Sequence, residues 1–308
     1  MSLSQFSILI CTVLIGVLPN KLSSQEAQQM PVILDADTGN EVDDYYALVR
    51  ALVEPSWKVL CLNAVQWQSS QWAIPETMEN SHRLNQVLLG EMGIDVPLKR
   101  GGVNRMFDWG DMAQHSAASY EIIKQVKSIL PDEKLTIIAL GALTNVASAI
   151  YIDPSIAGQI KLFWLGTSYN FEEGILKRQD FNCMMDQQAL ETVLMSEAEL
   201  HIMPVNLAEK MTFYYQETEE RLPAHHRLSQ LLLDRWMQHL DGGRKQRVIW
   251  DLALIQAILF PQWTTSKEII TSKDNGQRTI IYYTSIDAEK MREEFFQTMK
   301  VKYPSLEK

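Results

Sequence analysis

The segment from Val32 to Leu52 reads VILDADTGNEVDDYYALVRAL, an apolar run followed by a helical pattern. Such a run predicts a buried β-strand that turns tightly into an α-helix. Five acidic residues lie in or beside the turn: Asp35, Asp37, Glu41, Asp43 and Asp44. One or two of them would serve as helix caps, where carboxylates accept hydrogen bonds from free N–H groups. So many carboxylates together are unfavourable without a cation, so the turn indicates a site for Ca²⁺ or Mg²⁺.

Continuous apolar runs recur along the chain and alternate with helical patterns. The runs begin at Pro31, Trp57, Pro97, Leu135, Ile160 and Glu199, and the helical patterns cover residues 43–54, 75–89, 116–130, 143–151 and 186–196. Strands that are apolar on both faces and alternate with helices are typical of an α/β fold. The sequence therefore predicts an open, mostly parallel sheet flanked by helices. Asn275-Gly276, between two β-like runs, predicts a short C-terminal hairpin.

The position of polar residues after each predicted strand indicates where a ligand would bind. In open parallel sheets, ligands bind beyond the carboxyl ends of the strands. Side chains that follow the runs should therefore converge on one pocket. They are Asp35 and Asp37 with Asp43 and Asp44, then Gln66, Leu140, the segment 167–182 and Asn206.

The composition of the 308 residues limits the classes of partner. Hydrophobic residues make up 46% of the chain, which is enough for a large core. The formal net charge of −10 argues against nucleic acid and anionic membranes as partners. It is typical of a protein that handles small molecules or cations.

The N-terminal segment differs from the remainder of the chain. Residues 6–18 form an uncharged apolar run, too short for a comfortable transmembrane helix. We predict a secretory signal peptide over residues 1–24, although no Lys or Arg precedes the run, and a short membrane anchor is the alternative. Residues 25–308 are then expected to form a single domain, secreted or periplasmic, without stable membrane association. Cys61 and Cys183 are expected to be buried free thiols.

Four segments resemble the nucleoside hydrolases of the inosine–uridine-preferring type. DADTGNEVDD is similar to the D-x-D-P-G-x-D-D signature of that family, but it is two residues longer and has Thr38 in place of Pro. Similar segments follow in the family's order: LTIIALGALTNVASAI (135–150), DFNCMMDQQALETVL (180–194) and VIWDLALIQAI (248–258). The resemblance covers roughly residues 31–300.

The resemblance implies a calcium site and a reaction. Ca²⁺ would be bound by the side chains of Asp37, Asp44 and Asp251 and by the backbone carbonyl of Leu140. Asp43 would be the general base that takes a proton from a metal-bound water. That water would attack the anomeric carbon of a ribonucleoside or a related ribosyl compound and release the base and ribose. The resemblance also implies a homo-oligomer.

The resemblance to the nucleoside hydrolases further implies which residues contact the substrate. Asp180 and Asn182 stand where the family's Glu and Asn hold ribose hydroxyls, and Asn170 and Gln66 are further candidates. Asp35 would orient the acidic loop without binding the metal or the substrate itself. Trp250 replaces a His that donates a proton to the leaving base in many purine-using members; Trp can stack on a base but cannot act as an acid. Trp67, Trp72 and His115 lie in loops that would cover the pocket.

Two other hypotheses remain open at this stage. ILDADTG also resembles the haloacid dehalogenase phosphatases, with Asp35 as nucleophile and Asp37 as general acid. That family needs a downstream Lys and a later acidic motif, for which the chain has no convincing match. The other hypothesis is a protein of nucleoside hydrolase fold that binds ribosyl ligands without turnover, because the ribose and leaving-group positions are altered.

Overall fold

The computed structural model describes residues 29–304, and a large sheet runs through them. The strands are β1 (Met30–Ala36), β2 (Trp57–Ala64), β3 (Leu98–Lys99), β4 (Leu135–Ala139), β5 (Ile160–Leu165), β6 (Ser168–Asn170), β7 (Ile175–Lys177), β8 (Glu199–Met203), β9 (Thr212–Tyr214), β10 (Gln246–Val248), β11 (Thr264–Ile270) and β12 (Thr279–Ile286). Eight of them form the large sheet in the order β11-β12-β8-β5-β4-β1-β2-β3. Neighbours are parallel, except that β11 and β12 are antiparallel. The predicted open, mostly parallel sheet is therefore confirmed.

Helices cover both faces of this sheet. In the described part of the chain they are α1 (Asp43–Leu52), α2 (Thr77–Met92), α3 (Ala117–Val126), α4 (Thr144–Ile152), α5 (Phe181–Met185), α6 (Gln187–Met195), α7 (Val205–Ala208), α8 (Tyr215–Arg221), α9 (Arg227–Gln238), α10 (Trp250–Leu259) and α11 (Ala288–Lys302), with short 3₁₀ turns at Pro154–Gln159, Pro261–Trp263 and Lys273–Asn275. Val32 and Leu34 of β1 pack into one hydrophobic core with α1, α10 and α11. Ile33 packs into a second core with α4 and α6. Successive side chains of a strand point to opposite faces, so β1 must be apolar on both.

The helical patterns predict the helices to within a few residues at each end. The clearest case is α1, which begins at Asp43 as expected. Local capping explains two other starts, because the Oγ of Ser116 accepts from the N–H of Ser119 before α3, and Asp186 accepts from the N–H of Ala189 before α6. The two small antiparallel sheets, β6–β7 and β9–β10, were not predicted. Strands of three residues carry too little periodicity to be recognised.

The C-terminal hairpin is present and has a larger role than expected. β12 pairs with β8 as well as with β11, so the hairpin extends the main sheet. The chain does reverse near Asn275 and Gly276, but through the longer loop 271–278, in which Gly276 has a φ of 74°. Cys61 and Cys183 are both buried and free, as expected.

No helix within residues 29–304 combines the length and the apolar character needed to cross a bilayer. The predicted signal peptide, residues 1–24, lies outside the described residues.

Candidate functional site

A cavity of about 370 Å³ opens at the carboxyl ends of β1, β4 and β5. It is lined by Asp37, Asn40, Glu41, Asp43, Asp44, Trp72, Leu140, Leu165, Gln179, Asp180, Phe181, Asn182, Val205, Glu209, Trp250 and Asp251. Eight of the predicted site residues are among them: Asp37, Asp43, Asp44, Leu140, Asp180, Asn182, Trp250 and Asp251. The cavity therefore lies where the fold class places ligands.

The floor of the cavity is formed where two helices begin. Asp43 and Asp44 start α1, Asp251 lies in the first turn of α10, and the two helices pack against each other. Carboxylate oxygens of the three residues all lie within 4.8 Å of one another. The N–H of Asp251 donates a hydrogen bond of 3.1 Å to Oδ2 of Asp43. Two distant segments thus share one acidic floor, completed by Asp37.

Burial and mutual repulsion act on all the floor carboxyl groups. Burial, with the charges of neighbouring carboxylates, raises the pKa of Asp37, Asp44 and Asp251 well above the usual value. Burial raises the pKa of Asp43 to about 6, while the N–H of Asp251 opposes the shift. The ionised floor is therefore unfavourable on its own, and a positive charge placed in it would be strongly stabilised.

Unpartnered oxygens in the floor provide an independent sign that it suits a cation. Within the described residues, Oδ2 of Asp37 and Oδ1 of Asp44 are buried and have no hydrogen-bond partner. Buried polar atoms are nearly always paired, so such atoms need an explanation. Together with Asp251 and the carbonyl of Leu140, they offer the all-oxygen donor set that Ca²⁺ and Mg²⁺ prefer.

Gly141 allows the floor to close around Asp37. A Cβ atom at position 141 would lie 2.7 Å from Oδ1 of Asp37 and 2.8 Å from its Cγ. Only a residue without a side chain permits this approach. The turn after β4 therefore packs directly against the Asp37 carboxylate, and Leu140, the residue before Gly141, lines the same cavity.

Asp35 lies behind the floor and does not line the cavity. It is fully buried and accepts a 3.0 Å hydrogen bond from Nδ2 of Asn145, which also donates to the carbonyl of Ala64. Burial raises the pKa of Asp35 to about 7. The side chain thus links the ends of β1 and β2 to α4. A buried carboxylate outside the cavity is unsuited to the nucleophile of the phosphatase hypothesis.

The two residues expected to hold ribose hydroxyls carry internal hydrogen bonds. Asp180 accepts from the N–H of Cys183 at 3.3 Å, which caps α5, and from the N–H of Thr167 at 2.6 Å. Thr167 has a φ of 60°, an unfavourable value for a β-branched residue, so Asp180 holds a strained turn. Asn182 donates through Nδ2 to the carbonyls of Leu140 and Leu165. Both side chains line the cavity while fixing the backbone around it.

The structure does not bring Gln66 or Asn170 to the cavity, which corrects the expectation that they contact substrate. Gln66 is fully buried, and its Nε2 donates to the Oγ1 of Thr144 at 3.2 Å. The Oδ1 of Asn170 accepts from the N–H groups of Glu172 and Glu173. The Gln66 amide joins the segment after β2 to α4, and the Asn170 amide closes a local turn. The position of a residue after a predicted strand does not indicate whether its side chain points into the cavity.

The mouth of the cavity is aromatic. Trp72 and Phe181 stack with ring centroids 6.0 Å apart and planes 11° apart, and Trp250 lines the same cavity. The indole N–H of Trp72 donates to Oδ1 of Asn40 at 3.1 Å. Phe181 was not predicted, although it lies inside the DFN segment. Of the other loop residues considered, Trp67 is fully buried and His115 bonds to Asp111 and Tyr120 on the surface.

Glu41 forms a separate acidic corner of the cavity. Its Oε2 lies 3.7 Å from Nη1 of Arg247 and 3.9 Å from Nε2 of His239. Both of those side chains also contact Asp241, so Arg247 shares its positive charge between Asp241 and Glu41. Burial, with the charge of Asp43, raises the pKa of Glu41 to about 7. Glu41 therefore carries a proton over a wider pH range than an exposed glutamate.

Comparisons with known proteins show which family this chain resembles in sequence. A family profile described as inosine-uridine preferring nucleoside hydrolase matches residues 32–293. The chain is 23% identical over 276 residues to the probable uridine nucleosidase 1 of Oryza sativa subsp. japonica, covering 80% of this chain and 82% of the rice protein. It is 26% identical over 254 residues to uridine nucleosidase 1 of Arabidopsis thaliana, covering 74% and 72%.

A solved structure has the same fold. The plant nucleoside hydrolase PpNRh1 superposes with a TM-score of 0.70 at 16% identity, covering 88% of this chain and 99% of that chain. Identity this low is informative about the fold and not about the substrate.

Proposed function

The chain belongs to the family of inosine-uridine preferring nucleoside hydrolases, and we propose that it hydrolyses the N-glycosidic bond of a ribonucleoside to release the base and ribose. The observation that carries the proposal is the acidic floor below an aromatic mouth. Its buried oxygens without partners, on Asp37 and Asp44, suit a divalent cation. A small neutral ligand with a planar group fits both halves of the cavity.

Ca²⁺ is the proposed cofactor. The side chains of Asp37, Asp44 and Asp251 and the carbonyl of Leu140 would hold it, and the Nδ2 of Asn182 would orient that carbonyl. When bound, the ion would supply polarisation of a water molecule and an attachment point for sugar hydroxyl groups. Four oxygen donors leave room for such ligands on a cation of this size.

Asp43 is the proposed general base. The N–H of Asp251 fixes its Oδ2, and its other oxygen can accept the proton of the attacking water. Burial raises its pKa only to about 6, so it is mostly ionised at neutral pH and ready to accept that proton. As the bond to the base weakens, positive charge develops on the sugar, and the neighbouring carboxylates would stabilise it.

The aromatic mouth is the proposed site of the leaving base. Trp72, Phe181 and Trp250 present flat faces on which a heterocycle can stack. Stacking tolerates different bases, because every base has a π-face. The proposal therefore does not choose between purine and pyrimidine nucleosides.

A second candidate function is a binding protein that retains the cavity without turnover. It is favoured by the hydrogen bonds of Asp180, whose two oxygens are both occupied by backbone N–H groups. A sugar hydroxyl would have to share those oxygens. In this alternative, nucleosides would bind with no release of base.

The proposed function is tested with a panel of nucleosides and reducing-sugar detection, with added CaCl₂ or with EDTA. Base release that requires Ca²⁺ supports the hydrolase. Saturable nucleoside binding by calorimetry, with no base release at any pH, would support the binding protein instead. Replacing Ca²⁺ with Mg²⁺ in the same assay tests the identity of the metal.

Export and assembly remain predictions. The predicted signal peptide at residues 1–24 would make this a secreted or periplasmic protein that consists of one domain after cleavage. N-terminal sequencing of the mature protein would test the cleavage near Ser24. Sedimentation of that protein would test the expected homo-oligomer.

A further inference from the structure

The cavity offers very few groups that could donate a proton to a leaving base. Among residues 29–304, no His, Lys, Tyr or Cys lines it, and Trp250 cannot act as an acid. A neutral base that leaves without a proton departs as an anion. Departure as an anion is unfavourable beside the carboxylates of the floor. The proposed reaction therefore needs another acid among the residues that line the cavity.

The carboxyl groups of the cavity can be sorted by their contacts. Asp37, Asp44 and Asp251 form the proposed metal site, and Asp43 is the proposed base. Both oxygens of Asp180 accept from backbone N–H groups. Glu41 and Glu209 remain. Glu209 is solvent-exposed at the rim, whereas Glu41 is partly buried in its own corner.

Glu41 lines the cavity directly after a residue that contacts the aromatic mouth. The preceding residue, Asn40, accepts from the indole N–H of Trp72 through its side chain and from Nε2 of His239 through its carbonyl. The segment is thereby held from both sides. Glu41 lies in the stretch that makes the acidic turn two residues longer than the family signature, so its position is a property of this chain.

The surroundings of Glu41 stabilise the carboxylate that remains after this residue has donated a proton. In the described structure its carboxyl group makes two long ion pairs, 3.7 Å to Arg247 and 3.9 Å to His239, and no hydrogen bond. The charge on Arg247 stabilises the carboxylate that remains once a proton has left. The side chain of Glu41 is 26% exposed, so solvent can return a proton after each turnover.

We propose that Glu41 is the catalytic acid that protonates the leaving base, an inference that rests on the proposed hydrolase function. The glycosidic C–N bond breaks and its electron pair stays on the base. The base takes a proton from Glu41, and the water oxygen bonds to the anomeric carbon while its proton goes to Asp43. Asp43 then releases that proton to solvent, and Glu41 takes one from solvent.

The test compares two leaving groups on the same sugar. Nucleosides such as inosine and uridine need a proton on the base, whereas p-nitrophenyl riboside releases a stable anion that needs none. With saturating Ca²⁺, Glu41→Gln should lower kcat for nucleosides by at least about 100-fold and leave p-nitrophenyl riboside within about threefold. Glu41→Asp, which keeps a carboxyl group with shorter reach, should restore part of the loss.

Glu268→Gln is the matched control, because Glu268 is an exposed acid on β11 outside the cavity. It should leave both substrates unchanged. Equal losses on the two substrates in Glu41→Gln would mean that Glu41 only positions the site, and would overturn the proposal. So would a nucleoside-selective loss in Glu209→Gln with none in Glu41→Gln. If the wild-type protein hydrolyses neither substrate, the proposed function itself fails.

Discussion

The N–H of Asp251 donates a hydrogen bond of 3.1 Å to Oδ2 of Asp43, so two residues 208 positions apart in sequence join the first turns of α1 and α10. The bond fixes one carboxylate oxygen of Asp43 and leaves the other for the cavity. It also sets the distance between the proposed base and a proposed metal ligand.

Replacing Asp43 with Asn should remove the base and keep the shape of the floor. The Asn Oδ1 can still accept from the N–H of Asp251, but an amide cannot take a proton from water. We expect kcat for a nucleoside to fall by about 10²- to 10⁴-fold. Calcium binding, measured by calorimetry, should persist because the proposed ligands Asp37, Asp44 and Asp251 remain. Nearly full activity in Asp43→Asn would contradict the assignment.

Gly141→Ala should weaken metal binding. The new Cβ would lie 2.7 Å from Oδ1 of Asp37, so that carboxylate or the Leu140 carbonyl must move. We expect the calcium affinity to fall by about 10- to 100-fold, the usual effect of displacing a ligand's support. Gly158→Ala is the control, because its Cβ would meet only Oε2 of Glu197, at 3.7 Å. Equal affinities in the two variants would argue against the proposed site.

The metal-free protein should lose stability as the pH rises. Burial raises the pKa of Asp35 to about 7 from an ordinary value of 3.8, so the folded state binds the proton more tightly than the unfolded state. The resulting stability is full below about pH 4 and is lost as the pH rises to about 7. For Asp35 alone the loss is at most about 4 kcal/mol.

Urea unfolding in EDTA between pH 4 and pH 8 measures this effect. Asp35→Asn should flatten the profile, because the amide has no proton to lose. Asp37, Asp44 and Asp251 act in the same direction, so some slope should remain. Added Ca²⁺ should oppose the loss of stability at high pH. A stability that rises with pH in EDTA would be inconsistent with these shifts.

Trp72→Ala should weaken substrate binding through the loss of a stacking surface. A base stacked on an aromatic side chain contributes about 1–3 kcal/mol, which corresponds to an increase in KM of about 5- to 150-fold. Trp72→Phe should keep most of the contact. Trp109→Ala removes a tryptophan that is 85% exposed and outside the cavity, and should leave KM unchanged. A KM in Trp72→Ala equal to that of wild type would rule out stacking at this wall.

Continuous apolar runs predicted the main strands, and the helical patterns between them predicted most of the helices. Strands such as β1 and β4 are apolar on both faces because helices cover both sides of the sheet. Consecutive apolar residues in the sequence are therefore enough to identify them. The acidic turn was also readable locally, since Asp37, Asp43 and Asp44 lie within a few residues of one another. The strands, the helices and the acidic turn each depend on residues that lie close together in the sequence.

Side-chain direction and the meeting of distant segments were decided only by tertiary packing. Gln66 follows β2 as expected and Asn170 ends β6, yet the amide of Gln66 bonds to Thr144 of α4 and that of Asn170 to a local turn, and neither lines the cavity. The Trp72–Phe181 stack and the contact of Glu41 with Arg247 join segments whose spacing carries no periodic signal. Such contacts arise because the packing of helices and loops on the sheet fixes the position of each side chain. A one-dimensional pattern therefore predicts which residues reach the edge of the sheet, but not which of them face the ligand.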